Sequence, residues 1–209
     1  MDNKFVEQVV AYAIDEVSLQ YSYDFRVPPA SIVGNGISVK IGDHVAKLKA
    51  KKVFIVTDKQ IVKLGLMQPM LRSLERNAIA YAVFDEVEPD PTDVVVQAGV
   101  ANLSKCNCDS VIAFGGGSAI DAGKAIAVFA TNPFDLSRPI TEETFKNPRC
   151  PLVAVPTTAG TGSEVTDISV ITNIQTHIKH PLQHSYFIPD IAVIRSEERR
   201  VGKECRSRW

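Results

Sequence analysis

The sequence predicts an α/β fold built on a mostly parallel sheet with helices on both faces. Short apolar runs alternate with segments of helical periodicity, which is the pattern of β–α–β units. The runs end in turns rich in glycine, threonine and aspartate, and ligands gather at such strand ends in open parallel sheets. With 209 residues, 45% of them hydrophobic, the chain can bury a core of this kind.

The elements begin with an amphipathic helix within residues 1–22. Its apolar side chains recur at helical spacing on one stripe: Phe5, Val6, Val9, Val10, Ala13, Ile14 and Val17. Residues 26–36 contain a short strand between prolines and glycines. A buried strand over 51–58 then leads into a helical segment that runs to Leu74, and a second strand covers 78–87.

The alternation continues through the second half of the chain. Thr92 follows two prolines and is a good N-cap for the next helix. A third strand over 110–114 precedes a helix over 118–130, and a fourth strand lies at the start of the segment 150–164. Further short strands are predicted over 168–172 and 190–194.

Composition excludes several classes of protein. No apolar run approaches the roughly 18 residues of a membrane span, and the N-terminus lacks the pattern of a signal peptide. We therefore expect a cytoplasmic protein without a membrane partner. The four cysteines, including the C-x-C of Cys106 and Cys108, do not form a disulfide framework and are interpreted as reduced thiols.

The last fifteen residues, 195–209, differ from the rest. They carry six basic and three acidic side chains, whereas the preceding residues have a net charge of −4. A basic tail is typical of nucleic-acid binding. This run, however, has no apolar periodicity, interrupts a strand-like segment and resembles a translated sequencing adapter. We expect a non-native tail on a chain truncated near Ile194, with no nucleic-acid partner.

A glycine triplet, residues 115–117, lies between the third strand and its helix. Ser118 and Asp121 form an S-x-x-D signature at the helix start. Unobstructed N–H groups at a positive helix end favour an anion, most often phosphate. The alternative is that the glycines only permit a tight turn; the triplet is not the G-x-G-x-x-G fingerprint.

Two other strand ends are compatible with a nucleotide. Asp58 can accept hydrogen bonds from a ribose diol and would repel a 2′-phosphate, which favours NAD over NADP; alternatively, it only caps the next helix. A threonine cluster, Thr157, Thr158 and Thr161, offers hydroxyl and backbone donors between glycines, although threonine-rich turns are also ordinary loop chemistry.

Together these motifs resemble a known family. The segments "FGGGSAIDAGKA", "VPTTAGTGSEVT", "VTD", "EPDPT" and "ITN...THIK...IPDIAVI" are similar to the iron-containing (group III) alcohol dehydrogenases. Within that family, "FRVPPASIVGNG" with "TNP" looks most like the ethanolamine-utilisation branch. The resemblance implies that residues 23–194 form the Rossmann-like N-terminal dinucleotide-binding domain of a two-domain dehydrogenase. It also implies that the C-terminal all-helical metal domain is absent.

The resemblance also implies site residues. Gly116, Gly117 and Ser118 would hold the NAD pyrophosphate, and Asp58 would hold the adenosine ribose. Further cofactor contacts would come from Asp90, Thr157, Thr158, Thr161, Thr166 and Lys179; many members have asparagine in place of Asp90. Asp121 and Lys124 match the family pattern, and we expect them to support the glycine loop, with Asp121 accepting turn N–H bonds and pairing with Lys124.

No catalytic or metal-binding residue is assigned within this chain. In the family one aspartate and three histidines hold Fe²⁺, all downstream of the last predicted strand. His177, His180 and His184 have ligand-like spacing, but Pro181 interrupts a helix there and no local carboxylate joins them. We interpret them as exposed or partly packed histidines.

The expected function is hydride transfer between NAD(H) and a short-chain primary alcohol or aldehyde, with Fe²⁺ in a full-length homo-oligomer. One alternative is a nucleotide-binding module without turnover. Another is a glycerol dehydrogenase or dehydroquinate synthase-like enzyme. The N-terminal stripe either packs on the domain or, over residues 1–19, directs the protein to a bacterial microcompartment.

Overall fold

A computed structural model describes residues 26–133, 140–141 and 143–195. The predicted N-terminal helix over 1–22, and all of the predicted tail except Arg195, lie outside these residues. The described strands are β1 (Ala30–Gly34), β2 (Lys52–Val56), β3 (Ala80–Phe84), β4 (Ser110–Gly115), β5 (Leu152–Pro156), β6 (Ile168–Thr172), β7 (Lys179–Gln183) and β8 (Ile191–Arg195).

The strands form two sheets. Six of them pair in parallel in the order β1-β8-β5-β4-β2-β3, and β6 and β7 form a separate antiparallel hairpin. The described α-helices are α1 (Ile41–Lys47), α2 (Lys59–Lys63), α3 (Gln68–Arg76), α4 (Asp93–Lys105) and α5 (Gly117–Phe129). The predicted α/β fold with a parallel sheet is therefore confirmed.

Helices cover the large sheet on both faces. In β2, Val53 and Ile55 pack with α1 and α3 in one buried cluster, whereas Phe54 and Val56 pack with α4 and α5 in the other. This division follows from strand geometry, because successive side chains point to opposite faces. It also explains why the strands read as continuous apolar runs rather than as alternating ones.

The strand order reverses between β2 and β4. From β2 the chain moves outward to β3 and then crosses back to β4 on the other side of β2. A reversal of this kind leaves a crevice at the carboxyl ends of the two strands, where open α/β sheets bind ligands. Asp58 follows β2 and the glycine triplet follows β4, so the topology places both candidate groups at this crevice.

The β6–β7 hairpin packs near the start of α4. The backbone N–H of Thr172 donates to the carbonyl of Pro91 at 2.9 Å, and that of Ile174 donates to the Asp93 carboxylate at 3.1 Å. Thr92 is the N-cap of α4, its hydroxyl accepting from the Val95 N–H, as predicted. The hairpin is thereby joined to the loop that follows β3.

Two further observations concern the described residues. None of their helices is long and apolar enough to cross a membrane.

Cys106, Cys108 and Cys150 are free thiols. Burial raises the pKa of Cys108 to about 11, so this side chain behaves as a small apolar group rather than as a nucleophile.

Candidate functional site

A cavity of about 480 Å³ opens at the carboxyl ends of the central strands. Its walls come from the segments that follow β2, β3, β4 and β5, and thus from the point where the strand order reverses. The lining residues are Asp58, Lys59, Gln60, Ile61, Leu64, Asp85, Glu86, Val87, Glu88, Pro89, Gly116, Gly117, Ser118, Ala119, Thr157 and Thr158. Six of the ten predicted site residues are among them.

The glycine turn forms one wall of the cavity. Gly115 has φ 155°, a conformation that side chains rarely adopt, and a Cβ on it would lie 2.6 Å from the Cβ of Ala119. The next residue, Gly116, is the N-cap of α5, and no side chain caps the helix. The predicted Ser118/Asp121 capping signature is therefore wrong. The first-turn N–H groups stay available to a ligand.

A threonine loop, residues 157–163, lies against the glycine turn. The Thr157 N–H donates to the Gly115 carbonyl at 2.8 Å. A Cβ on Gly116 would lie 3.3 Å from the Thr158 hydroxyl, and one on Gly117 would lie 3.7 Å from the Thr161 Cβ. The two loops thus face each other across a gap that side chains at Gly116 and Gly117 would narrow. The described residues offer an anion both N–H groups and hydroxyls there.

Asp58 has a structural role as well as a place in the cavity wall. It is the N-cap of α2, and its Oδ1 accepts from the backbone N–H groups of Gln60 and Ile61, both at 2.9 Å. The capping interpretation of Asp58 is therefore confirmed. Its Oδ2 lies 3.8 Å from the position that a Gly115 Cβ would take. One carboxylate oxygen is occupied by the helix, and the other points toward the glycine turn.

Sequence reasoning missed an acidic wall of the same cavity. Asp85, Glu86 and Glu88 line the cavity next to Asp58. They were missed because the second strand was predicted to run to residue 87, which placed Asp85 and Glu86 inside it. The strand instead ends at Phe84. The polar pair that follows Phe84 is the signal that could have indicated a strand end.

Asp121 and Lys124 do not support the glycine turn as predicted. Asp121 Oδ2 accepts from the Val170 N–H at 3.2 Å, and the Asp121 carbonyl accepts from the Ser169 hydroxyl at 2.8 Å. The Lys124 ammonium donates to the carbonyls of Thr166 and Ile168 at 2.8 and 2.9 Å. Both residues of the D-x-x-K motif therefore fasten strand β6 to helix α5, and the expected ion pair between them is wrong.

The environment of Lys124 is unusual for a lysine. Its side chain is fully buried, and desolvation lowers its pKa to about 8, although the charges of Asp121, Glu164 and Asp167 act in the opposite direction. Burial also raises the pKa of Asp121, against the N–H of Val170, the charge of Lys124 and the hydroxyl of Ser163. Asp121 and Lys124 are thus buried ionisable groups whose hydrogen bonds hold the β6–β7 hairpin against α5.

Four predicted site residues lie outside the cavity lining. Lys179 of the hairpin and Asp90 of the loop before α4 form an exposed ion pair at 2.6 Å. The Thr161 hydroxyl donates to Glu164 at 3.0 Å. Thr166 contacts Lys124 through both its carbonyl and its hydroxyl. The structure therefore joins Asp90 to Lys179 and Thr166 to the buried lysine, and of these four residues it brings Thr161 alone next to the glycine turn.

The three histidines have separate environments. His184 is buried, and its Nδ1 accepts from the Tyr186 N–H at 2.9 Å, which caps a short 3₁₀ helix. His180 lies in β7, and His177 lies in the hairpin turn with φ 55°. Over the described part of the chain, no group of three or more His, Cys, Asp or Glu side chains could hold a metal ion.

Comparison with known proteins identifies the family. The family model described as "Iron-containing alcohol dehydrogenase" matches residues 28–196. The chain belongs to the iron-containing alcohol dehydrogenase family. It is 38% identical to the probable alcohol dehydrogenase EutG of Salmonella typhimurium over 182 residues, which are 87% of this chain and 46% of that protein. It is 34% identical to the NAD-dependent methanol dehydrogenase of Bacillus methanolicus, over 83% of this chain and 46% of that protein.

Solved structures of other oxidoreductases share the fold. A crystal structure of 1,3-propanediol oxidoreductase has a TM-score of 0.80 and 37% identity, covering 84% of this chain and 46% of that chain. Sulfoacetaldehyde reductase from Bifidobacterium kashiwanohense, in complex with NAD⁺, has a TM-score of 0.74 and 30% identity, covering 85% and 47%. The chain thus spans less than half the length of the relatives that it matches.

Proposed function

We propose that this chain is the NAD-binding half of an oxidoreductase that transfers a hydride between NAD(H) and a short-chain primary alcohol or aldehyde. The observation that carries the proposal is the uncapped start of α5, which lies between a glycine turn and a threonine loop in the cavity wall. Free N–H groups at a helix start suit a pyrophosphate. The NAD-dependent methanol dehydrogenase among the relatives supports the choice of dinucleotide.

The residues present fit NAD at this cavity. A Cβ on Gly116 would narrow the gap to the Thr158 hydroxyl, so the missing side chain leaves room for phosphate oxygens. Gly116, Gly117 and Ser118 would hold the pyrophosphate, and Oδ2 of Asp58 would accept from the adenosine ribose. When bound, NAD supplies the acceptor or donor of the hydride. The remaining proposed cofactor contacts are Asp90, Thr157, Thr158, Thr161, Thr166 and Lys179.

The described residues do not fit iron. They include no group of His, Cys, Asp and Glu side chains suited to a metal ion. We therefore propose that Fe²⁺, if this protein uses it as its family name implies, is held by residues other than those described. We also propose that residues 23–194 form the dinucleotide-binding domain, residues 1–22 a helical extension and residues 195–209 a non-native tail.

A second candidate function is nucleotide binding without turnover by this chain alone. It is favoured by the same observation, because the cavity has the features of a dinucleotide site while the described residues offer no metal site. A glycerol dehydrogenase or dehydroquinate synthase-like activity has less support, since the most similar relatives include a probable alcohol dehydrogenase and a 1,3-propanediol dehydrogenase.

The proposed setting follows from the proposed chemistry. A dehydrogenase that uses NAD works where that cofactor is abundant, so we propose a cytoplasmic location. We also propose that the full-length form is a homo-oligomer. The 38% identity to EutG supports a bacterial microcompartment as the alternative location, reached through residues 1–19. Deletion of those residues would then change the localisation of the protein without changing its affinity for NADH.

The test is a fluorescence titration of the 209-residue chain with NADH. We expect saturable binding that Gly117→Leu abolishes, because the new side chain would extend toward Thr161 and Ser163 and fill the gap between the loops. Gly34→Ala is the matched control, since a Cβ there meets nothing within 4 Å and the residue lies on the distant strand β1. Absence of binding by the unmodified chain would contradict the proposal.

A turnover assay with NAD⁺, ethanol and added Fe²⁺ separates the two candidate functions. Binding with turnover supports a dehydrogenase that is complete in this chain and contradicts the assignment of iron to other residues. Binding without turnover supports the nucleotide-binding half.

A further inference from the structure

We infer that Glu86 is a second determinant of cofactor specificity, which acts with Asp58 to exclude a dinucleotide that carries a 2′-phosphate. The inference rests on the proposed function, because it concerns the ribose end of the same cavity. It gives Glu86, a residue of the acidic wall, a part in excluding the 2′-phosphate that Asp58 alone does not supply.

Asp58 is a weaker discriminator in this chain than its position after β2 suggests. Its Oδ1 accepts two backbone hydrogen bonds at 2.9 Å and so has no capacity left for a ribose hydroxyl. The two N–H dipoles also offset part of the carboxylate charge. Only Oδ2 remains directed toward the cavity. A single free oxygen on a carboxylate whose charge is partly offset repels a 2′-phosphate only weakly. A second negative side chain nearby would therefore strengthen the discrimination.

Glu86 stands directly beside Asp58. The two residues form an antiparallel bridge at the ends of β2 and β3. Hydrogen bonds on either side fix this arrangement: the Thr57 N–H donates to the Phe84 carbonyl at 2.9 Å, and the Val87 N–H donates to the Thr57 carbonyl at 3.3 Å. Both Asp58 and Glu86 line the cavity, so its rim has two acidic residues on paired backbone segments.

The charge of Glu86 is not neutralised by the fold. Over the part of the chain that the structure describes, no ion pair or hydrogen bond engages its carboxylate. The cavity lining as a whole has four carboxylates and a single ammonium, that of Lys59. A phosphate monoester carries nearly two negative charges at neutral pH. A 2′-phosphate would therefore meet a negative rim, whereas a ribose hydroxyl would find acceptors.

The test measures the dissociation constants of NADH and NADPH for the 209-residue chain and four variants. The variants are Glu86→Gln, Asp58→Asn, the double variant, and Glu143→Gln, an exposed glutamate remote from the cavity that gives the same change of net charge. We expect Glu86→Gln to lower the ratio of the NADPH to the NADH dissociation constant by about fivefold at low salt, and less at high salt. Asp58→Asn keeps the side-chain oxygen that caps α2. We expect the double variant to have a lower ratio than Glu86→Gln alone.

Each outcome is decisive. A ratio that shifts in Glu86→Gln but not in Glu143→Gln supports the inference. If NADH binds and the ratio is equal in Glu86→Gln, Glu143→Gln and the unmodified chain, the inference is wrong while the proposed function stands. If neither dinucleotide binds, the proposed function fails and the inference fails with it.

Discussion

The Lys124 ammonium lies 2.8 Å from the carbonyl oxygen of Thr166, a residue 42 positions later in the chain. A second carbonyl, that of Ile168, accepts from the same ammonium at 2.9 Å. The contact fastens the start of β6 to the middle of α5 with a fully buried charge. A buried charge is costly even when it is hydrogen-bonded, and this cost depends on pH.

Lys124 should make the stability of the chain depend on pH. Its pKa is about 8 in the fold, against 10.5 for an ordinary lysine. Between these values the unfolded chain binds more protons, so the contribution of Lys124 to the free energy of unfolding rises with pH. From about pH 7 to about pH 9.5 the unmodified chain should gain on the order of 2 kcal/mol relative to Lys124→Met.

Urea unfolding at the two pH values measures this gain. Lys63→Met, which removes an exposed lysine at the end of α2, is the matched control and should show no such change. If the free energy of unfolding differs between the unmodified chain and Lys124→Met by the same amount at both pH values, the pKa of Lys124 is not lowered in the fold.

Neighbouring glycines of the turn should differ in what they contribute. Gly115→Ala places a Cβ 2.6 Å from that of Ala119 on a backbone with φ 155°, and it should lower the free energy of unfolding by about 3 kcal/mol. Gly117→Ala meets nothing closer than 3.5 Å, the Ser163 hydroxyl oxygen. It should change stability by less than about 1 kcal/mol while weakening NADH binding.

Chemical denaturation and NADH titration of the two variants check this contrast. The loss of binding in a stable Gly117→Ala would locate a ligand in the gap. Equal destabilisation by both substitutions would mean that all three glycines serve the turn alone, which was the alternative interpretation of the triplet.

Local patterns predicted most of the elements of this fold, although the helix α1 and the strand β7 were not predicted. Period and composition located the buried strands, and Thr92 was recognised as an N-cap because its hydroxyl acts three residues away. The glycine turn and Asp58 were found because the carboxyl ends of neighbouring parallel strands meet at one edge. These features depend on residues that are close in sequence or on a general rule of topology.

Contacts between distant segments could not be predicted in the same way. Asp121 and Lys124 look like a helix ion pair in sequence, yet their partners belong to β6, whose position on α5 is a tertiary fact. The end of β3 was misplaced by three residues because Val87 is buried and continues the apolar pattern past Phe84. That error concealed the acidic wall of the cavity.

Two ion pairs of equal length should differ in energy. Arg149 and Asp190 pair at 2.6 Å with side chains 12% and 31% exposed, and the Asp190 carboxylate also accepts from the Leu152 N–H at 2.7 Å. Lys179 and Asp90 pair at the same distance with side chains 56% and 65% exposed. We expect a coupling energy of about 2 kcal/mol for the first pair and below about 0.5 kcal/mol for the second.

Double-mutant cycles built from Arg149→Leu with Asp190→Asn, and from Lys179→Gln with Asp90→Asn, measure the two energies. Chemical denaturation gives the stabilities of the seven proteins: the unmodified chain, four single variants and two double variants. Equal coupling energies would indicate that burial does not set the strength of these pairs. The larger coupling is expected for Arg149 and Asp190 because their side chains are less exposed than those of Lys179 and Asp90. The bonds that the Arg149 guanidinium donates to the carbonyls of Cys150 and Ile188 also hold it in place beside Asp190.

The exposed pair should instead matter for the cofactor. If Lys179 contacts NAD, as we propose, then Asp90 competes with the cofactor phosphates for the Lys179 ammonium, which now lies 2.6 Å from its carboxylate. Lys179→Gln should weaken NADH binding by about tenfold. Asp90→Asn should strengthen it by about threefold, since it frees the ammonium and removes a negative charge.

Lys47→Gln, at the exposed end of α1, is the matched control and should leave the affinity for NADH unchanged. If the affinity is also unchanged in Lys179→Gln and Asp90→Asn, the β6–β7 hairpin does not belong to the dinucleotide site, and binding is confined to the cavity between the glycine turn and the acidic wall.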